Sequence, residues 1–135
     1  MVKIRRAKNS DSNVIDRLLH NLELWHSSLS IDSFWVAEDD AGILGCVHLE
    51  DFGDNIYLSS LGVTNEKRGQ GIASALLKEA VAAFQKDIFI YTIIPDFFEK
   101  QGFIRATAPN DIPGRSIYNC AACCLNECKC MVLKR

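Results

Sequence analysis

Arg68, Gly69 and Gly71 stand just ahead of an amphipathic run in the stretch VTNEKRGQGIASALL, residues 63–77. The first N–H groups of a helix have no partner within it, and the aligned peptide dipoles leave partial positive charge at that end. An anion placed there is held by donors and dipole together. Glycine, lacking Cβ, lets the backbone approach a ligand and take conformations that other residues avoid, while arginine adds charge and paired donors. The chemistry that suits this turn is the holding of a phosphate or pyrophosphate. The turn is neither a GxxxxGK[ST] loop nor a GxGxxG dinucleotide fingerprint. A plain helix start, whose glycines only permit a tight turn, is the competing reading.

A second constellation is NCAACCLNECKC, which places five of the six cysteines at 120, 123, 124, 128 and 130. A Cys-x2-Cys pair with further thiols close behind can wrap a tetrahedral soft metal, and Cys120, Cys123 and Cys128 would be the ligands of a zinc-like site. Reduced structural thiols are the competing reading: on a final strand Cys128 and Cys130 would share a face as small apolar fillers. Disulfide or redox switching is a third.

These residues need elements to position them. IRRAKNSDSNVIDRLLHNL reads as a short strand, caps at Ser10 and Asp11, and a helix with Val14, Ile15, Leu18, Leu19 and Leu22 on its apolar side. Residues 24–33 show no firm period. Residues 34–38 and 44–50 form a hairpin about DDAG, and FGDN turns the chain into a third strand over 56–63. From Ile72 the apolar positions 72, 73, 76, 77, 80, 81 and 84 predict a helix. IFIYTII then reads as a strand covered on both faces, which makes a strand–helix–strand crossover. PDFFEKQGF begins with proline and ends with glycine, the asymmetry of a short helix. A last strand pair uses 103–107 and 131–134.

The totals limit what the chain can be. With 135 residues, 48% of them apolar and 24% charged, one compact domain over residues 1–135 is expected, and disorder is not. The net charge of -2, with no stripe of lysines and arginines, argues against a nucleic-acid partner. MVKIRRAKNS has no apolar signal core behind it, and the longest nearly apolar run, 88–94, is far below the ~18 residues of a membrane span. The expectations are a cytoplasmic protein without membrane contact and thiols kept reduced.

Arg68-Gly69-Gln70-Gly71-Ile72-Ala73 resembles the [RQ]-x-x-G-x-[GA] signature of the GNAT superfamily, the acetyl-CoA-dependent N-acyltransferases. LSSLGVTNEKRG looks like that family's fourth strand entering its coenzyme loop, and FFEKQGF looks like its fourth helix ending in E-K-x-G-F. The resemblance covers most of the chain and is weakest over 24–33 and 108–130. It implies an α/β (α+β) fold: a central mixed, mostly antiparallel sheet flanked by helices, with a β-α-β coenzyme-binding crossover.

The resemblance further implies acetyl transfer from acetyl-CoA, the cosubstrate, to a primary amine of a small molecule or peptide by direct attack. The pyrophosphate would sit on the amides of Arg68, Gly69, Gln70, Gly71, Ile72 and Ala73, with Ser74 adding its hydroxyl. The pantetheine arm would pair with the backbone of Leu61, Gly62 and Val63, and the acetyl group would end near Phe97 and Phe98. Where many relatives carry a tyrosine as general acid, this chain has Phe98, which donates no proton; water or Tyr118 could serve instead. As base the candidates are Tyr57, at the place where many relatives have a glutamate, Glu50 and His48. Trp25, His26, Arg105 and Arg115 are weaker candidates for the acceptor side. The alternative to an enzyme is an acyl-CoA-binding or thiol/metal-sensing module without turnover. Pairing through an edge strand or the cysteine-rich tail would make a homodimer.

Overall fold

The structure is a computed structural model that describes residues 2–22, 30–92, 94–107, 109 and 129–135. Seven strands make one sheet in the order β1-β2-β3-β4-β5-β7-β6. They are β1 (Lys3–Arg6), β2 (Phe34–Asp39), β3 (Gly42–Asp51), β4 (Ile56–Val63), β5 (Ile88–Thr92), β6 (Ile104–Arg105) and β7 (Lys129–Leu133). The helices are α1 (Ser12–Asn21), α2 (Ile72–Val81) and α3 (Pro95–Lys100). The chain divides into two compact units, Met1–Leu49 with Ser60–Ala83, and Glu50–Ser59 with Phe84–Arg135. β3 and β4 each contribute to both.

In the first unit β1 runs antiparallel to β2, from Lys3↔Glu38 to Arg6↔Trp35. Arg5 ties this pair to the start of α1: its guanidinium donates to Glu38 Oε1 and to Asp11 Oδ2, both at 2.8 Å. Asp11 does not cap α1 with its side chain, as the capping pattern predicts. Its carboxylate instead accepts the Lys8 N–H at 2.7 Å, so it fixes the turn before the helix. Ile15, Leu18 and Leu19 are buried against Phe34, Val36 and Cys46. Val14, expected on the apolar side, is 37% exposed; one residue is a 100° step, which carries it off a stripe centred on Ile15 and Leu18.

The β2–β3 hairpin turns at Asp40 and Ala41, where the Ala41 N–H donates to Asp39 Oδ1. Its register runs from Phe34↔His48 to Asp39↔Gly42 with a slip at Ala37/Glu38. The predicted apolar run from Ile72 forms α2, with Ile72, Leu76, Leu77, Ala80 and Val81 buried. The helix ends before Phe84, so the last apolar position of that row belongs to the link into β5.

In the second unit the turn at 52–55 is closed by Phe52 N–H donating to Asn55 O, and Gly53 takes φ +106. β4 and β5 pair in parallel, as the strand–helix–strand order requires, through Ile56↔Ile88, Tyr57↔Phe89 and Leu58↔Ile90. β7 lies antiparallel to both β5 and β6. Thr92 Oγ1 accepts the Ile94 N–H at 2.9 Å and turns the chain into α3. Phe98 packs edge-on against Phe97 and Phe103, and Tyr57, Phe89 and Val132 form a separate buried cluster. The mixed, mostly antiparallel sheet is the fold class that the sequence predicts. Among the described residues no helix is long and apolar enough to cross a membrane.

Candidate functional site

β4 delivers the chain at Val63 into a short 3-10 turn, Asn65–Lys67, and then into Arg68–Gly71. Gly69 has φ +81 and Gly71 has φ +79, the left-handed region where a Cβ is strained. Among the described residues nothing lies within 4 Å of where a Cβ would sit at either residue. Backbone conformation therefore requires these glycines, and the space over them is open. Gly71 is the N-cap of α2 and, lacking a side chain, makes no side-chain cap bond of its own. The outward face of the first turn is thus backbone N–H and helix dipole, the arrangement that receives an anion. Arg68 is exposed, and its Nε donates to the Val63 carbonyl at 3.4 Å, which holds the guanidinium beside this turn. Ile72 is buried and anchors the helix, while Ala73 and Ser74 are half-buried. The residues present fit a pyrophosphate.

Leu61, Gly62 and Val63, the expected pantetheine strand, lie at the end of β4 and in the same unit as the turn. Among the described residues the β4–β5 register ends at Leu58↔Ile90, yet β4 continues to Val63. An added strand along this backbone would need geometry rather than particular side chains. A contributor missed from the sequence is Gly45, buried in β3: a Cβ there would lie 2.7 Å from the Gly62 carbonyl oxygen. A lone glycine inside a strand signals such a close approach. Ser60, two residues beyond the last β4–β5 pair, is also new. It is buried, and no sequence signal marked it.

Glu50, Tyr57 and Phe98 belong to the second unit. Glu50 is half-buried, and burial pushes its carboxyl above the ordinary glutamate range. Tyr57 is buried against Phe89 and Val132, with its ring 5.7 Å from that of Tyr91. Phe98 is a core ring of α3. His48 is buried in the first unit, where Nε2 accepts the Ser30 N–H at 3.3 Å and the ring meets Phe34 edge-on. That nitrogen is therefore the acceptor of a backbone bond, the role of a sheet histidine. Arg105 is exposed on β6.

Cys120, Cys123 and Cys128 lie outside the described residues, as do Trp25, His26, Arg115 and Tyr118. Cys130 is half-buried and packs on the Tyr57 cluster. Among the described residues no three histidines, cysteines or carboxylates gather as a metal requires.

Residues 30–105 match the sequence profile of the acetyltransferase (GNAT) domain. The fold is similar to that of N-acetylglutamate synthase from Neisseria gonorrhoeae, complexed with coenzyme A and N-acetyl-glutamate, with a TM-score of 0.76 and 24% identity. That likeness covers 100% of this chain and 36% of the synthase, so the chain spans about a third of the synthase's length. It is also similar to a Mycobacterium tuberculosis protein in complex with CoA and NLQ, with a TM-score of 0.76, 19% identity and 98% and 99% of the two chains covered. Arabidopsis thaliana Naa50, in complex with the bisubstrate analogue CoA-Ac-MVNAL, gives a TM-score of 0.72 at 16% identity over 97% of each chain.

Proposed function

The chain belongs to the GNAT acetyltransferase domain family, and from that premise we propose that it transfers acetyl from acetyl-CoA to a primary amine by direct attack. The observation that carries this reading is the turn Arg68–Gly71. Two left-handed glycines lead off the end of β4 into a helix start whose N-cap residue, Gly71, has no side chain to cap it. The pyrophosphate of coenzyme A is the anion for that turn, held by the amides of 68–73, the Arg68 guanidinium and the Ser74 hydroxyl. The pantetheine arm runs along Leu61–Val63 as an added strand.

Acetyl-CoA supplies an activated acyl group on a good leaving thiolate. The chain then has to polarise the thioester carbonyl and take a proton from the amine. A backbone N–H among Leu61–Val63 serves the first need. Glu50 suits the second better than Tyr57. Its carboxyl is titratable and its affinity for a proton is raised by burial, whereas Tyr57 is enclosed in an apolar cluster. Phe98 contributes an apolar ring, and water protonates the thiolate. The acceptor is an amino acid or a peptide N-terminus, by analogy with the N-acetyl-glutamate and CoA-Ac-MVNAL ligands of the similar structures.

Release of coenzyme A thiol from acetyl-CoA across a panel of amino acids, peptides and polyamines tests this. Acceptor-dependent release is the expected result. Tight acetyl-CoA binding without release from any acceptor would replace the transferase with a binding module.

A further inference from the structure

Ser60 is 2% exposed, and its Oγ has no hydrogen-bond partner among the described residues. Buried polar atoms are nearly always paired, because an unmade hydrogen bond forfeits the solvation that water gave. Among the described residues the Ser60 hydroxyl is therefore a donor to spare, one that a ligand can take up. The position of Ser60 says which. It follows the last β4–β5 pair, Leu58↔Ile90, and precedes Leu61–Val63. Under the proposed function the pyrophosphate lies at 68–73, beyond the C-terminal end of β4, and the arm runs back along the strand. Its far end, which carries the thioester, is the part that reaches Ser60.

We propose that the Ser60 hydroxyl donates a hydrogen bond to the carbonyl oxygen of the acetyl thioester, beside the backbone N–H donor of the same strand. This inference rests on the coenzyme reading of the turn. As the amine nitrogen forms its bond to the carbonyl carbon, the C=O π pair moves onto that oxygen. When the C–S bond breaks, the pair returns and the thiolate leaves. Ser60 keeps its proton throughout; its hydrogen bond strengthens while the oxygen bears charge. Such a donor lowers the barrier without adding much to ground-state affinity.

The test compares the wild-type protein with Ser60→Ala and with Ser60→Cys, which nearly keeps the volume but loses the strong donor. Three quantities are read: kcat for thiol release from acetyl-CoA, affinity for free coenzyme A, and the thermal midpoint. Free coenzyme A has no thioester carbonyl, so its affinity should not change. Loss of one such donor should lower kcat by about 100-fold in both variants, with the thermal midpoint unchanged or higher. An unchanged kcat in either folded variant would overturn the assignment and leave Ser60 as a buried hydroxyl with only a structural role. Failure of the wild-type protein to bind free coenzyme A would overturn the coenzyme reading itself, a result separate from an unchanged kcat in a protein that binds.

Discussion

Gly45 of β3 and Gly62 of β4 are in backbone contact: a Cβ on Gly45 would stand 2.7 Å from the Gly62 carbonyl oxygen and 3.0 Å from Val63 Cγ2. Both neighbours belong to the stretch that is to carry the pantetheine arm, and a backbone atom cannot rotate aside as a side-chain tip can. Gly45→Ala must therefore displace β4, with an overpacking cost of about 1–3 kcal/mol. A lowered thermal midpoint together with weaker coenzyme A binding is expected. A variant as stable and as tight as wild type would show that the two strands part freely at this point.

The turn makes a separate prediction. Gly71→Trp places a large ring over the open space above the helix start, at a φ of +79 where any side chain adds about 1–2 kcal/mol of strain. A domain of ordinary stability tolerates that, so far-ultraviolet circular dichroism should be retained while coenzyme A binding is lost. Gly71→Ala carries the same backbone strain without the bulk and should keep part of the affinity. If Gly71→Trp binds coenzyme A normally, the pyrophosphate does not sit on this turn.

Glu50 links acid–base chemistry to pH. Burial raises its carboxyl pKa, so kcat/KM should rise with pH through a value above the ordinary glutamate pKa of about 4.3. Glu50→Gln should lower the rate and remove that limb. The stability effect has the opposite sense. A folded pKa above the unfolded one means that Glu50 favours the fold most below its unfolded pKa, and that this contribution is lost as pH rises through the folded one. Glu50→Gln should thus cost no stability at neutral pH. An identical pH profile in the variant would exclude Glu50 as the base.

Asp11 behaves the other way. The Arg5 guanidinium holds its carboxyl below the usual aspartate range, so its contribution is present above the unfolded pKa of about 3.9 and fades as pH falls through the lowered folded value. Asp11→Asn should lose about 1 kcal/mol at neutral pH, because Arg5 keeps Glu38 as a partner. The gap between variant and wild type should narrow in acid. A gap independent of pH would mean that the loss does not come from the charge of the Asp11 carboxylate.

Local pattern alone determined much of this protein. The spacing from Ile72 gives α2, the glycines of Arg68–Gly71 give the turn that precedes it, and DDAG and FGDN give the two hairpin turns, because each depends only on neighbours in sequence. Proline and glycine around FFEKQ mark α3 for the same reason. Pairing and enclosure depend on residues far apart in the chain, and these the tertiary structure decided. Val14 looks apolar-facing until α1 is rotated onto Phe34 and Val36. The Thr92 hydroxyl captures the Ile94 N–H inside a nearly apolar run. The raised carboxyl of Glu50, the close approach of Gly45 to Gly62 and the burial of the Ser60 hydroxyl exist only once strands are brought side by side. Burial and hydrogen-bond satisfaction are properties of an environment, and a sequence read one window at a time contains the residues but not what surrounds them.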